Sequence, residues 1–448
     1  MTEMPVWEHR MSDAESLMWR LEKDPYLSST FANITLLDTK PDFDRLLRRM
    51  ERATHAIPRL RQRVQSAPGG LGNPTWVDDP GFELRYHVRH VALPKPGTMR
   101  QLLDLAAQVT NDSFDRTRPL WQFVVVDGIR GGKSALIEKL HHTIADGEAG
   151  VKLSLEFLDF ERDAPEPAPI ERDPDTLSEP ADDPVDIVRE LLAASVRMPL
   201  TMLKQAKDLM SDGALAGVMR QLNDHGAAQS PLWTRRSLGR RVEVLRAPFD
   251  STREAAKRLG GTLNTAFLAA AADAAGRYHR ELGHPVDTLR ASMAISTRTE
   301  GSGANAFSLA RFVVPTNELP MADRFRLINE AAEAARKESG GNAMNALSAV
   351  ATNLPTSLIT RIARQQSQTV DFATSNVRGA PIPLFLAGAQ VLQNYPVGPL
   401  AGVAFNLTLL SYDHSLDMGV NIDTAAVEQP DLLRACLEHA FRDLIAAT

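Results

Sequence analysis

The sequence predicts an α/β fold built from two halves, and three observations predict it. Strand-like and helix-like segments alternate through residues 1–160. The composition then shifts to proline and acid over residues 161–186. A second alternating region runs from Val242 to Thr448. A chain of 448 residues sets an expectation of two or three domains. The division expected is 1–160, a linker at 161–186, an amphipathic helical connector at 187–241, and a second half at 242–448.

Each element has a local reason. Asp13 to Leu21 carries helical spacing, and Phe31 to Leu37 reads as a strand. Pro41 to Arg63 places Phe43, Leu46, Leu47 and Met50 at helical intervals. Phe82 to Val88 alternates as a half-buried strand does. Met99 to Val109 is helical. Trp121 to Val126 and Ser134 to Leu140 read as strands joined by a Gly-rich hairpin turn. Gly147 to Phe157 reads as a helix.

Pro165, Pro167, Pro169, Pro174, Pro180 and Pro184, set among acidic residues, cannot bury a core, so a solvated, extended linker is expected there. Val185 to Leu222 reads as one or two amphipathic helices, with Arg189, Arg197, Lys204 and Lys207 among apolar positions. In the second half the expected strands are Val242 to Pro248, Leu289 to Ser296, Ser308 to Val314, Phe372 to Val377, Val403 to Tyr412 and Leu416 to Ile422. The expected helices are Ser251 to Leu259, Thr262 to Arg280, Met321 to Ser339 and Asp431 to Ala447.

Composition narrows the function classes. An apolar content of 43% supports large cores. A net charge of −6 carries no basic signature for nucleic acid. No apolar run reaches the roughly 18 residues of a membrane span. The N-terminal residues Met1 to Pro5 lack a basic region followed by an apolar one, so no secretory signal is read there. The expectation is a cytoplasmic protein, with a peripheral place on the inner membrane surface left open. Cys436 has no partner cysteine and sits in a helical pattern, as a small core residue would.

The chemistry concentrates in His141-His142-Thr143-Ile144-Ala145-Asp146-Gly147. The order is strand, tight loop, helix, with the histidines at the strand's end, where a scaffold can expose a base to a pocket. His142 is the candidate base, because a neutral imidazole can take a proton from a hydroxyl near pH 7. Asp146 could orient that ring or brace the loop. Gly147 removes a side chain where a substrate arm could pass. A bare pair of histidines is usually one core and one surface residue; the Asp-Gly at fixed spacing is what raises the functional reading.

No Gly-x-Ser-x-Gly elbow is present and no cysteine is near, so direct transfer is expected over a covalent acyl-enzyme. Zinc is disfavoured, because ligands four apart would need a helix and a third partner. Gly131-Gly132-Lys133-Ser134 imitates the end of a phosphate-binding loop, but Asp127 stands where the first glycine belongs and a strand follows.

At this point the motif resembles HHxxxDG, shared by coenzyme A-dependent acyltransferases and the condensation domains of peptide synthetases. Pro119-Leu120-Trp121, Ser375-Asn376-Val377-Arg378-Gly379-Ala380-Pro381, Tyr395-Pro396-Val397-Gly398-Pro399-Leu400 and Leu410-Ser411-Tyr412 follow in the order of one branch. Together they resemble the bacterial wax ester synthase/diacylglycerol acyltransferase family, from Ser12 to about Leu444.

The resemblance implies two chloramphenicol-acetyltransferase-like domains with the active site at their interface. It implies an O-acyltransferase that moves a fatty acyl group from acyl-CoA to diacylglycerol or a long-chain alcohol, with His142 as general base. His141 would orient or pack, Asp146 would be structural, Gly147 matches the motif glycine, and Asn264 would support site geometry. Pro119, Trp121, Asn376 and Ser411 are the candidate substrate-side residues. No cofactor is implied beyond acyl-CoA as co-substrate, and no metal. The implied partners are acyl-CoA and a lipid alcohol, with a peripheral membrane or lipid-droplet contact left open.

Three departures bear on substrate choice and catalytic strength. Thr265 replaces the Asp of an Asn-Asp motif, Gln122 replaces an acid after Pro-Leu-Trp, and Arg378 replaces a proline. The competing readings are a condensation-type acyltransferase with another acceptor and a non-catalytic lipid-binding relative.

Overall fold

The computed structural model of the chain describes residues 8–66, 73–145, 147–168, 170, 230–296, 307–338 and 356–448. Asp146, the rest of the acidic stretch and the helices expected over Val185 to Leu222 lie outside the described residues.

Helix α1 (Asp13–Leu21) starts at a reciprocal cap. The Glu15 amide donates to the Ser12 hydroxyl (3.3 Å), and the Glu15 carboxylate accepts from the Ser12 amide (2.9 Å), which satisfies two otherwise orphan donors. Strand β1 (Thr30–Leu37) follows. Helix α2 (Phe43–Ala56) starts at Asp42, whose carboxylate accepts from the Arg45 amide at 3.0 Å. It buries Leu46 and Met50, each such side chain contributing ~1.5–3 kcal/mol.

Two local expectations are corrected here. The helix expected to reach Arg63 ends before Pro58, whose ring cannot continue a helix, and the chain enters the hairpin β2 (Gln62–Gln65) and β3 (Thr75–Asp78). The alternation over Phe82 to Val88 is not a strand. Leu84–His87 is a helical turn, α3, and β4 (Val88–Ala92) begins after it. The reason is tertiary: the turn carries His87 inward, where it stacks between Phe82 (5.3 Å) and Trp121 (4.6 Å).

Helix α4 (Met99–Asn111), strands β5 (Trp121–Ile129) and β6 (Lys133–His141), and helix α5 (Gly147–Ser154) fall close to the expected spans. So do β7 (Arg240–Pro248), α6 (Phe249–Arg258), α7 (Leu263–Glu281), β8 (Thr288–Ser296), β9 (Phe307–Pro315) and α8 (Met321–Glu338). Sequence reasoning missed α9 (Thr356–Ser367). It found β10 (Phe372–Arg378), missed β11 (Phe385–Leu386) and β12 (Ala389–Val397), and found β13 (Phe405–Tyr412), β14 (Ser415–Asp423) and α10 (Pro430–Ala446).

These elements make two mixed six-stranded sheets. The first has the order β11-β12-β1-β6-β5-β4 and the second β7-β14-β13-β10-β8-β9. The missed strands matter most. β12 comes from the second half of the sequence, yet pairs antiparallel with β1 in the first sheet. The boundary drawn at residue 242 is therefore crossed in space. β12 passes so close to β14 that a Cβ on Gly419 would lie 2.0 Å from the Pro396 carbonyl oxygen, which explains a glycine there. On the other face of the first sheet, α4 bridges the halves: Arg100 pairs with Glu243 (2.6 Å) and donates to the Val242 carbonyl (3.0 Å) of β7.

The start of the acidic segment, residues 161–168 and 170, has no helix or strand and is largely exposed, yet it is tied to the first half. Asp159 is held by Arg45 (3.0 Å) and Arg49 (2.8 Å), and Phe385 exchanges two backbone hydrogen bonds with it. Beyond it, the Ala164 and Pro165 carbonyls accept from Arg45 (2.6 Å) and Arg49 (2.9 Å), and Glu166 pairs with Arg48 (2.9 Å). One basic face of α2 thus holds this strap.

Among the described residues, no helix is long and apolar enough to cross a membrane.

Candidate active site

β6 places the two histidines at its end, in the middle of the first sheet. The strand end is fixed from both sides. The His141 amide donates to the Leu120 carbonyl (3.0 Å), and the His142 amide donates to the Ser29 carbonyl (3.2 Å). The Pro119-Leu120-Trp121 segment therefore acts directly on the backbone of the histidine pair. Its Trp121 is 1% exposed, donates Nε1–H to the Leu60 carbonyl (2.8 Å), and stacks on His87. Pro119 is buried as well. Both sit in the core beneath the site, so their visible role is to position β6.

His141 is fully buried and both of its ring nitrogens are engaged. Nδ1 lies 2.8 Å from the Thr143 hydroxyl and accepts from the Thr143 amide at 3.2 Å. That leaves Nε2–H to donate to the Glu22 carboxylate at 3.0 Å. Burial pushes the Glu22 carboxyl up. The hydrogen bond from His141, with donors from Ser28 (2.7 Å) and the Ser29 amide (2.8 Å), outweighs burial and holds it down at about 2. Sequence reasoning missed Glu22. It lies 119 residues from His141 at the end of an ordinary helix, where no local pattern marks it.

His142 is half-buried, with its ring 4.7 Å from that of Phe31. Two residues before His141, Lys139 is buried; its ammonium donates to the Asp112 carbonyl (2.6 Å) and lies 4.3 Å over the Phe114 ring. Burial pushes this lysine down to about 8. Glu138 sits in a polar cluster with Asn33 (2.7 Å) and Thr35 (3.3 Å), and burial raises its carboxyl. Gly147 begins α5. Among the described residues no group of acids, histidines and cysteine has the makings of a metal site.

The second half contributes amides. Asn264, in the first turn of α7, accepts from the Asn376 side chain on β10. Ser411 lies opposite Arg378 in the parallel β10–β13 register, and its hydroxyl accepts from the Gly379 amide (3.3 Å). The structure thus gathers Asn264, Asn376 and Ser411 around β10, and α5 packs against that strand. Thr265, at the first departure, donates to the Asn329 side chain (2.9 Å), and its amide donates to the Thr262 cap (3.2 Å), so a hydroxyl serves the helix start there. Arg378 is exposed.

A narrow cleft of ≈ 50 Å³, open at its mouth, separates the halves on the α4 side. Glu22, Ser28 and Thr110 line one wall, and Arg240, Asn421 and Leu400 the other. The histidine pair is therefore braced at the junction of the two sheets, with its carboxylate partner facing an entrance.

Comparison with known proteins agrees with this architecture. The wax ester synthase/diacylglycerol acyltransferase catalytic domain matches residues 11–267, and the C-terminal domain of the same family matches residues 303–445. A putative diacylglycerol O-acyltransferase of Mycobacterium tuberculosis is 32% identical over 99% of this chain and 93% of its own length. A probable diacylglycerol O-acyltransferase of the same organism is 28% identical over 91% of this chain and 89% of its own. Among solved structures, the wax ester synthase/diacylglycerol acyltransferase of Marinobacter aquaeolei superposes with a TM-score of 0.66 at 21% identity, covering 97% of this chain and 98% of that one. The first condensation domain of the calcium-dependent antibiotic synthetase gives 0.60 at 13% identity over 99% and 96%, a likeness of fold. The chain belongs to the wax ester synthase/diacylglycerol acyltransferase family, and is an acyltransferase of that family.

Proposed function

We propose that this chain transfers a fatty acyl group from acyl-CoA directly to the hydroxyl of diacylglycerol or a long-chain alcohol, with His142 as general base. The observation that carries the reading is the division of labour within the pair. Both nitrogens of His141 are committed, to Thr143 and to Glu22, which leaves the proton transfer to its neighbour at the strand end.

The chemistry then balances without a covalent intermediate. The His142 imidazole takes the proton of the acceptor hydroxyl as its oxygen attacks the thioester carbonyl. The tetrahedral oxyanion collapses, the carbon–sulfur bond breaks, and the departing CoA thiolate receives the proton from the imidazolium. The ester and free CoA result, and the base is regenerated. Acyl-CoA serves as co-substrate and no further cofactor takes part.

Diacylglycerol is the first choice of acceptor and hexadecanol the second. An apolar acceptor needs an apolar channel, which the interface between two domains can supply. It also brings the enzyme to a lipid surface. The exposed apolar side chains Phe160 (61%) and Ile382 (46%), on segments that meet at the Asp159–Phe385 bridge, suit such a contact.

The test is a competition assay with palmitoyl-CoA and equal concentrations of diacylglycerol, hexadecanol and a short polar alcohol. The two lipids are consumed first under this reading. Fastest consumption of the short alcohol overturns the lipid assignment in favour of a condensation-type acceptor.

A further inference from the structure

A second hollow lies beside the cleft at Glu22, and the residues that line the two differ in character. The inner part is lined by uncharged polar groups of Ser28, Thr110, Asn111 and Asn421, by the acids Glu22 and Asp112, and by Arg240, whose charge is met by Asp423 at 3.8 Å. The outer hollow, of ≈ 350 Å³, is lined by α9, Gln368 and Asp24. Asp24 lines the outer hollow, and the next two residues, Pro25 and Tyr26, line the inner cleft. At the far end the loop Pro399–Ala401 edges the inner cleft, and the next residue, Gly402, packs so tightly on Ser367 of α9 that a Cβ there would meet its hydroxyl at 2.3 Å.

Arg361 and Arg364 stand three residues apart on α9, hence on one face of the helix, and both are exposed. Ser357 and Gln368 line the same hollow and carry further donor groups. The Arg364 guanidinium lies 4.2 Å over the Tyr26 ring and 3.7 Å from Asp24, at the wall between the two spaces. Among the described residues Arg361 has no acidic partner.

Among the described residues, the basic face of α2 is already spent. The arginines of α2 are more numerous, but Arg45, Arg48 and Arg49 are paired with Asp159, Glu166 and the carbonyls of the strap. An anionic ligand therefore meets, on α9, Arg361 with no acidic partner among the described residues and Arg364 only loosely paired with Asp24 (3.7 Å), where the arginines of α2 are closely paired.

We propose that Arg361 and Arg364 form the binding site for the phosphates at the nucleotide end of a coenzyme A thioester, and that the donor enters the molecule along this cleft. The inference rests on the acyl-CoA reading above. The charges sort the ligand along its length. Guanidinium groups hold phosphate in paired, charge-assisted hydrogen bonds. The pantetheine arm is uncharged and carries amides, which the hydroxyls and amides of the inner cleft match. Glu22 and Asp112 repel phosphate from that inner part, so the thioester end alone is drawn toward the histidines.

The experiment uses the full-length protein, an Arg361→Ala/Arg364→Ala double variant and an Arg361→Lys/Arg364→Lys variant. Binding of CoA itself is measured by titration calorimetry, and acyl transfer is measured with palmitoyl-CoA and with palmitoyl-pantetheine, which has no nucleotide. The alanine variant weakens CoA binding and raises KM for palmitoyl-CoA by about tenfold or more, with kcat unchanged, since two charge-assisted contacts are lost. Its kinetics with palmitoyl-pantetheine match wild type. The lysine variant retains most of the affinity. Added salt weakens CoA binding more in the wild type than in the alanine variant.

An unchanged CoA affinity and KM, or an equal loss with both donors, overturns the proposal. Wild-type protein that binds CoA through these arginines yet acylates no hydroxyl refutes the proposed function while upholding this site.

Discussion

Each half of the molecule contains an antiparallel pair of long strands followed by a tight loop, β5–β6 in one and β13–β14 in the other, and their ends differ. β6 ends in an imidazole pair, one ring locked by Glu22 and Thr143 and the next lying against Phe31. β14 ends in Asp423, which is 2% exposed and spent on structure: it accepts from the Ser237 amide and hydroxyl (both 2.7 Å) and from the Ala425 amide (2.9 Å). Under the proposed mechanism the strand-end position carries chemistry in one sheet, while in the other it fastens a loop. A scaffold position is thus permissive, and its role follows from what the side chain is bonded to.

Substitution at the two ends breaks this symmetry most sharply. His142→Ala loses ~10²–10⁴-fold in acyl transfer, the usual worth of a general base, with its melting temperature held. Asp423→Ala does the reverse: the fold melts several degrees lower, since buried donors lose a charged acceptor, while specific activity of the folded fraction persists. Thermal melts and steady-state rates on the same preparations check both.

Glu22→Gln is the next largest effect. We expect about tenfold loss in kcat, because a misplaced base is costly, and an altered pH–rate profile that a merely structural substitution would not produce. Stability carries its own signature. The Glu22 carboxyl is held at about 2, below its ordinary 4.5, so its contribution is present above pH 4.5 and is lost as pH falls toward 2. The Gln variant loses that part of the acid dependence.

Smaller effects sharpen the contrast between paired and unpaired arginines. In an Arg45→Ala/Arg49→Ala variant, limited proteolysis cuts between residues 161 and 170 early, whereas the wild type is protected there. Early cutting in both would show that α2 does not hold the strap.

The smallest effect concerns His87. Burial is the main cause that holds its imidazole down, at about 4 against an ordinary 6.5. Its stabilising contribution is present above pH 6.5 and lost as pH falls toward 4. Urea melts across that window should show less pH dependence in His87→Gln than in the wild type.

Much of the scaffold was legible because hairpins and amphipathic helices write their period into the chain. β5, β6 and α4 fall close to where alternation and helical spacing put them. The histidine motif was legible for the same reason, being local. Phe82 to Val88 failed because a buried stack between His87 and Trp121 overrode a two-residue period. β12 failed because Gln393, Asn394 and Tyr395 look like loop, and its partner β1 lies hundreds of residues away. The anchoring of the strap was not legible because it comes from arginines on α2, not from its own composition. Glu22 was invisible for the same physical cause: its partner His141 lies 119 residues away and leaves no periodic trace.

The central claim is direct transfer to a lipid hydroxyl with no acyl-enzyme, and one measurement tests it most directly. Enzyme in molar excess is mixed with palmitoyl-CoA, with and without diacylglycerol, and released CoA and intact protein mass are followed together. The account predicts CoA release in step with triacylglycerol formation, only when the acceptor is present, and an unmodified protein mass throughout. A burst of CoA without acceptor, matched by a palmitoyl adduct on the protein, would contradict it.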